Sequence, residues 1–130
     1  MTAVDTNVIV RLLVEDDARQ AAAARAVFEG GPVWIAKTVL LETEWVLRSL
    51  YQLEVAEIQV ALRRLAGLSG VRLEDEAAVV RAFDLCGKGL DFADALHLSS
   101  RAADARFVTF DRALVRRAKK VKVRAVDGLH

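Results

Sequence analysis

The sequence predicts an α/β fold in which a parallel sheet of short strands is wrapped by helices on both faces. Three observations carry this reading. Short apolar runs read as buried strands and alternate with longer helical segments. The helical share is high, so the strands must be few and short. The 130 residues contain no internal repeat, linker or low-complexity segment, and 54% are hydrophobic with mean hydropathy +0.24, which fits one domain, 1–130, with a real core.

Taken in order, Thr2–Asp5 opens as a strand and Asn7–Glu15 follows as a helix with Arg11 inside it. Asp16 and Asp17 suit a helix start, so Ala18–Glu29 is a second helix, paired with the first if Glu15-Asp16-Asp17 turns. Gly30-Gly31-Pro32 breaks the chain before the strand Val33–Ala36. Lys37–Leu53 and Val55–Leu68 are amphipathic helices, and Ser69-Gly70 turns into the strand Val71–Leu73. Asp75–Cys86 is helical up to Gly87-Lys88-Gly89, and Asp91 starts the helix Phe92–Ala103. Arg106–Phe110 is a strand, Arg112–Lys119 a helix and Val121–Val126 a last strand.

The formal charge of +1 selects no partner, but its distribution does: seven basic residues and no acid lie between Arg112 and Val126. Arg112, Arg116, Arg117, Lys119 and Lys120 are therefore candidate contacts to a nucleic-acid backbone. The same stretch also suits a solvated helix face and a charged edge strand. The single Cys86 forms no internal disulfide, which fits a reducing compartment. There is no signal-peptide pattern and no apolar run of membrane-spanning length, so the expected location is the cytoplasm, with no membrane partner.

Four acids carry the chemistry. Asp5 and Asp111 each end an apolar strand. In open parallel sheets ligands bind beyond the carboxyl ends of the strands, so both acids face one crevice if those strands are neighbours. Each also suits the N-cap of the helix that follows. Glu42 shares a helical face with Val39, Val46 and Leu50, where a carboxylate needs a partner or a metal; Arg11, Arg48 or a lysine is the structural alternative. Glu44, about 200° around the same helix at ~100° per residue, is expected to face solvent. Asp94 lies among Phe92, Ala93, Ala95 and Leu96, and it also stands where a capping box with Asp91 would place it. Asp91 is expected to hold the helix end, or to reach a metal-bound water. His97 reads as a packed residue rather than a ligand. Thr6, Asn7 and Thr109 flank the strand-end acids and are candidate donors that would fix carboxylate orientation, or simply tie down turns.

Clustered carboxylates repel one another, and a divalent cation removes that penalty. All-oxygen ligands favour Mg²⁺ or Mn²⁺, and such sites suit phosphodiester hydrolysis.

In this order, Val4-Asp5-Thr6-Asn7-Val8, Leu40-Leu41-Glu42 with Trp45-Val46-Leu47-Arg48, Asp91-Phe92-Ala93-Asp94-Ala95-Leu96-His97 and Thr109-Phe110-Asp111 resemble the four motifs of PIN-domain ribonucleases, especially VapC-type toxins of toxin–antitoxin pairs. The resemblance covers nearly the whole chain. It implies a three-layer α/β/α sandwich with a central parallel sheet, and an acidic metal pocket of Asp5, Glu42, Asp94 and Asp111. It further implies Mg²⁺- or Mn²⁺-dependent hydrolysis of RNA leaving a 5′-phosphate, a homodimer, and a cognate VapB-like antitoxin. Asp111 is the position that varies most in such families. A haloacid-dehalogenase-like phosphatase would need a second acid at position 7, which is Asn. A receiver domain would need an acidic pair nearer the first strand than Asp16-Asp17. The remaining alternative is a catalytically silent PIN-like module that binds RNA or protein.

Overall fold

A computed structural model describes all 130 residues, Met1–His130. Seven helices alternate with five short strands, and every strand pairing is parallel. This composition is that of the α/β/α sandwich the sequence predicts. The chain divides into two compact units, Met1–Glu76 and Ala77–His130. Its strands fall into a three-stranded and a two-stranded sheet.

The first unit runs β1 (Thr2–Ala3), α1 (Thr6–Val14), α2 (Ala18–Glu29), β2 (Val33–Ile35), α3 (Lys37–Ser49), α4 (Val55–Ala66) and β3 (Val71–Leu73). β2 is the central strand, with Thr2 opposite Val33 on one side and Val33 opposite Val71 on the other. Val33 and Ile35 are fully buried, as expected of a strand flanked on both sides. α1 packs on α2 and α3. The corner between α1 and α2 is held by Arg11, which donates to Asp16 at 2.8 Å and to the Tyr51 hydroxyl at 3.0 Å, while that hydroxyl donates to Asp16. Partial burial pushes the Asp16 carboxyl up, but the Tyr51 and Arg11 hydrogen bonds outweigh it and hold the group below its ordinary range.

α3 departs from the sequence reading twice. It stops at Ser49 rather than Leu53, because Gln52 adopts a left-handed conformation and the Leu53 amide turns back to the Leu47 carbonyl. Its buried stripe is Leu40, Thr43, Glu44 and Leu47, not the face of Val39, Glu42, Val46 and Leu50. Thr43 is accommodated because its hydroxyl donates to the Val39 carbonyl. Glu44, expected in solvent, is 4% exposed, because Arg48 one turn on donates to its carboxylate at 2.9 Å.

The second unit contains α5 (Glu76–Gly87, entered at the unit boundary), α6 (Phe92–Ser100), β4 (Phe107–Thr109), α7 (Arg112–Lys120) and β5 (Val126–Gly128). The Phe83 and Phe92 rings stack at 5.8 Å and join α5 to α6. α6 ends at Ser100 rather than Ala103: Arg101 turns extended and its guanidinium donates to the carbonyls of Arg124 and Ala125. β4, α7 and β5 form a βαβ unit, with Phe107 opposite Val126, and the buried Leu114 and Ala118 side chains of α7. β5 begins only at Val126. Residues 121–125 complete the end of α7, with Lys122 and Ala125 left-handed and the Val123 amide donating to the Ala118 carbonyl.

The two faces of α3 differ in what a truncation costs. Leu47→Ala empties a fully buried position and should destabilise by ~2–5 kcal/mol. Leu50, 67% exposed, should tolerate alanine within about 0.5 kcal/mol. Urea unfolding of the two variants checks this; equal losses would refute the assigned face.

Candidate active site

In the first unit, the junction between β1 and α1 sets the geometry. Asp5 is extended and exposed, and its carboxylate accepts the Val8 amide at 3.3 Å, so it is the N-cap of α1. The capping reading is thus realised, yet the bond uses only one of two carboxylate oxygens. Thr6, the first residue of α1, is buried and its hydroxyl donates to Glu42 on α3. Glu42 itself is exposed, so the burial cost expected of it does not arise, and its partner is a hydroxyl rather than Arg11 or Arg48. Asn7 is exposed on the first turn of α1.

In the second unit, Asp91 occupies the N-cap position of α6, but its side chain makes no capping hydrogen bond. Its carboxylate is left free rather than tied to the helix end. Asp94 is half-buried in the first turn. Burial pushes its carboxyl up, the charges of Asp91 and Asp111 push it further, and the opposing pull of His97 and Arg117 does not restore it. His97 is exposed rather than packed, one turn after Asp94. Asp111 caps α7 by accepting the Leu114 amide at 3.0 Å, and its own amide donates to the Thr109 hydroxyl at 2.9 Å. Thr109 thus ties down the turn as an acceptor, the second of the two roles the sequence offers, and its hydroxyl makes no hydrogen bond to a carboxylate. Arg112, Arg116, Arg117, Lys119 and Lys120 are all exposed and form no ion pair.

Neither acid ends a strand as expected: β1 stops at Ala3 and β4 at Thr109, two residues before Asp5 and Asp111, and the two strands belong to different sheets. Asp5, Thr6 and Glu42 gather in the first unit, and Asp91, Asp94 and Asp111 in the second. The profile of the PIN domain matches residues 2–120 and so spans both units. The chain belongs to the PIN domain family.

PIN domains are generally nucleases that act on nucleic acids and typically bind divalent metals, so the fold here is of nuclease type. No curated protein matches the chain. The donor chemistry of this PIN domain fits a hard cation: every candidate ligand is a carboxylate oxygen, and Asp94 is under like-charge pressure that a cation would relieve. Within neither unit are three His, Cys, Asp or Glu side chains grouped closely enough to hold a metal ion. Two concavities, about 480 Å³ beside Arg81 and Arg101 and about 290 Å³ beside Arg11 and Gln20, are lined by none of the four acids.

The sequence reading missed the burial of Glu44. Its signal was Arg48 at i+4, the spacing at which a carboxylate and a guanidinium meet on a helix.

The raised Asp94 carboxyl has a definite sign in stability. The folded chain holds that proton more tightly than the unfolded chain, so ionisation of Asp94 subtracts stability as pH rises from the ordinary carboxylate range through the raised value. Relative to wild type, Asp94→Asn should therefore gain thermal stability at pH 7 compared with pH 3, both in EDTA. A stability difference independent of pH would contradict the crowding.

Proposed function

We propose that this PIN domain is a Mg²⁺- or Mn²⁺-dependent endoribonuclease, the toxin of a VapBC-type toxin–antitoxin pair. The observation that carries this reading is Asp94: a half-buried acid in the Asp91–His97 motif, its carboxyl raised above the ordinary range by burial and by the charges of Asp91 and Asp111. A protein gains nothing in stability from such crowding, and functional sites are where it recurs.

In this reading the whole chain acts as one PIN-like domain, and Asp5, Glu42, Asp94 and Asp111 are the metal-binding acids, as the order of their motifs supports. A bound divalent cation would neutralise the carboxylates and supply water activation and charge stabilisation for cleavage at phosphorus. The rest falls to the protein's own groups. Thr6 holds Glu42 in one orientation through its hydroxyl. Asp5 and Asp111 are oriented by the helix amides they cap. The unpaired cations of α7, Arg112, Arg116, Arg117, Lys119 and Lys120, bind the phosphate backbone of the strand. The partners are RNA, a VapB-like antitoxin and a second copy of the chain, in the cytoplasm. Exposed apolar side chains on α3 and α4 and at the end of α3, among them Trp45, Leu50 and Val60, offer surface for a protein partner.

One observation favours a second reading, a catalytically silent PIN-like module binding RNA or protein: neither unit by itself gathers three acids as a metal cage. Cleavage of RNA by wild type and Asp94→Asn, with Mg²⁺, Mn²⁺ or EDTA, separates the two. The proposed nuclease cuts with metal and stops in EDTA, and the Asp94→Asn variant loses ~10²-fold or more of its rate, the scale of removing a charge-stabilising group. Equal product in all arms, or none in any, would remove the proposed mechanism.

A further inference from the structure

Phe110 immediately precedes the two features already described, the capping Asp111 and the basic helix α7 that follows it, and is itself 73% exposed. Phenylalanine is ordinarily among the most buried residue types. The chain around it is nevertheless fixed. On one side the Thr109 carbonyl accepts the Leu129 amide at 2.7 Å; on the other, the Asp111 amide is bound by the Thr109 hydroxyl and the Asp111 carboxylate is bound to the Leu114 amide. The ring thus stands on a rigid turn, outside the one stacked aromatic pair of the protein, Phe83 with Phe92. An exposed ring whose backbone is immobilised loses little further freedom on binding.

Its surroundings define the occupant. Arg112 and, one turn later, Arg116 are exposed and unpaired, while the two acids at this end of the sheet are engaged: Asp111 caps α7, and Asp127, opposite Val108 in the β4–β5 pairing, is ion-paired with Arg106. The exposed apolar residues on the same two strand ends, Val108 and Leu129, are aliphatic and less exposed, so this turn presents one aromatic ring, followed in the chain by the exposed cations of α7, rather than a broad apolar surface. An aromatic face beside a cationic track is the arrangement that binds single-stranded nucleic acid: phosphates follow the charges and a base stacks on the ring.

We propose that Phe110 is the stacking platform for one base of the RNA strand, placing that nucleotide next to Asp111 while α7 holds its phosphates. This rests on the RNA-nuclease reading. Stacking tolerates every base, so it would position the strand without reading its sequence.

The test is anisotropy of a labelled single-stranded RNA with the full chain, in EDTA so that the strand stays intact, for wild type, Phe110→Ala and Phe110→Trp. An abasic residue is walked along the RNA. Phe110→Ala should bind roughly 5- to 150-fold more weakly, with its salt dependence unchanged, and Phe110→Trp should bind like wild type. At one RNA position the abasic residue should weaken wild type by the same factor and leave Phe110→Ala unaffected. Unchanged binding by Phe110→Ala, or abasic losses that add to its own at every position, overturns the stacking role while RNA cleavage by the wild type keeps the nuclease reading intact. A wild type that neither binds nor cleaves RNA overturns both.

Discussion

The amides of Val8 and Leu114 must be satisfied where α1 and α7 begin, and this constraint fixes the two junction acids. Each helix start leaves N–H groups without intrahelical partners. Asp5 and Asp111 supply acceptors there, each with one oxygen. Capping and a functional role are therefore not competing accounts of these residues. The cap immobilises the carboxylate and leaves its second oxygen for another task, a simpler route to a preset geometry than a carboxylate on a free side chain. Thr6 extends the same logic: the residue next to the cap carries the hydroxyl that orients Glu42.

α6 follows a different rule. Asp91 stands at its N-cap yet makes no side-chain bond there, so its charge is not absorbed by the helix. Burial raises the Asp94 carboxyl most, and the charges of Asp91 at the start of the same helix and Asp111 at the start of α7 add to it. A helix N-terminus favours negative charge, by ~0.3–1 kcal/mol at exposed positions, and one acid would be comfortable. Several acids in range of one another are not. The crowding around Asp94 is the physical content of the candidate site in the second unit, and it gives the proposed cation something to relieve.

Much of this was legible in the sequence. Element order followed from breakers and caps: Gly30-Gly31-Pro32 and Asp17 set the bounds of α2, which matches its expected span of Ala18–Glu29. Ends governed by left-handed residues were less legible. Gln52, Lys122 and Ala125 are not residues whose type announces that conformation, and they shortened α3 and delayed β5. The face of α3 was misjudged because Val39, Val46 and Leu50 looked more apolar than a stripe containing Thr43 and Glu44. Burial there is decided by two hydrogen bonds, Thr43 to the Val39 carbonyl and Arg48 to Glu44, which hydropathy does not weigh. The acids were found by their setting among apolar residues, but which of them feels its neighbours depends on through-space proximity. That singled out Asp94.

The most direct measurement is the ionisation of Asp94, followed by NMR titration of its carboxyl carbon in the full chain, first in EDTA and then with saturating Mg²⁺. The crowding predicts a midpoint above the ordinary carboxylate range in EDTA and a fall to lower pH once Mg²⁺ is present. An ordinary midpoint that Mg²⁺ leaves unmoved would contradict both the strain at this residue and the metal-dependent chemistry proposed from it.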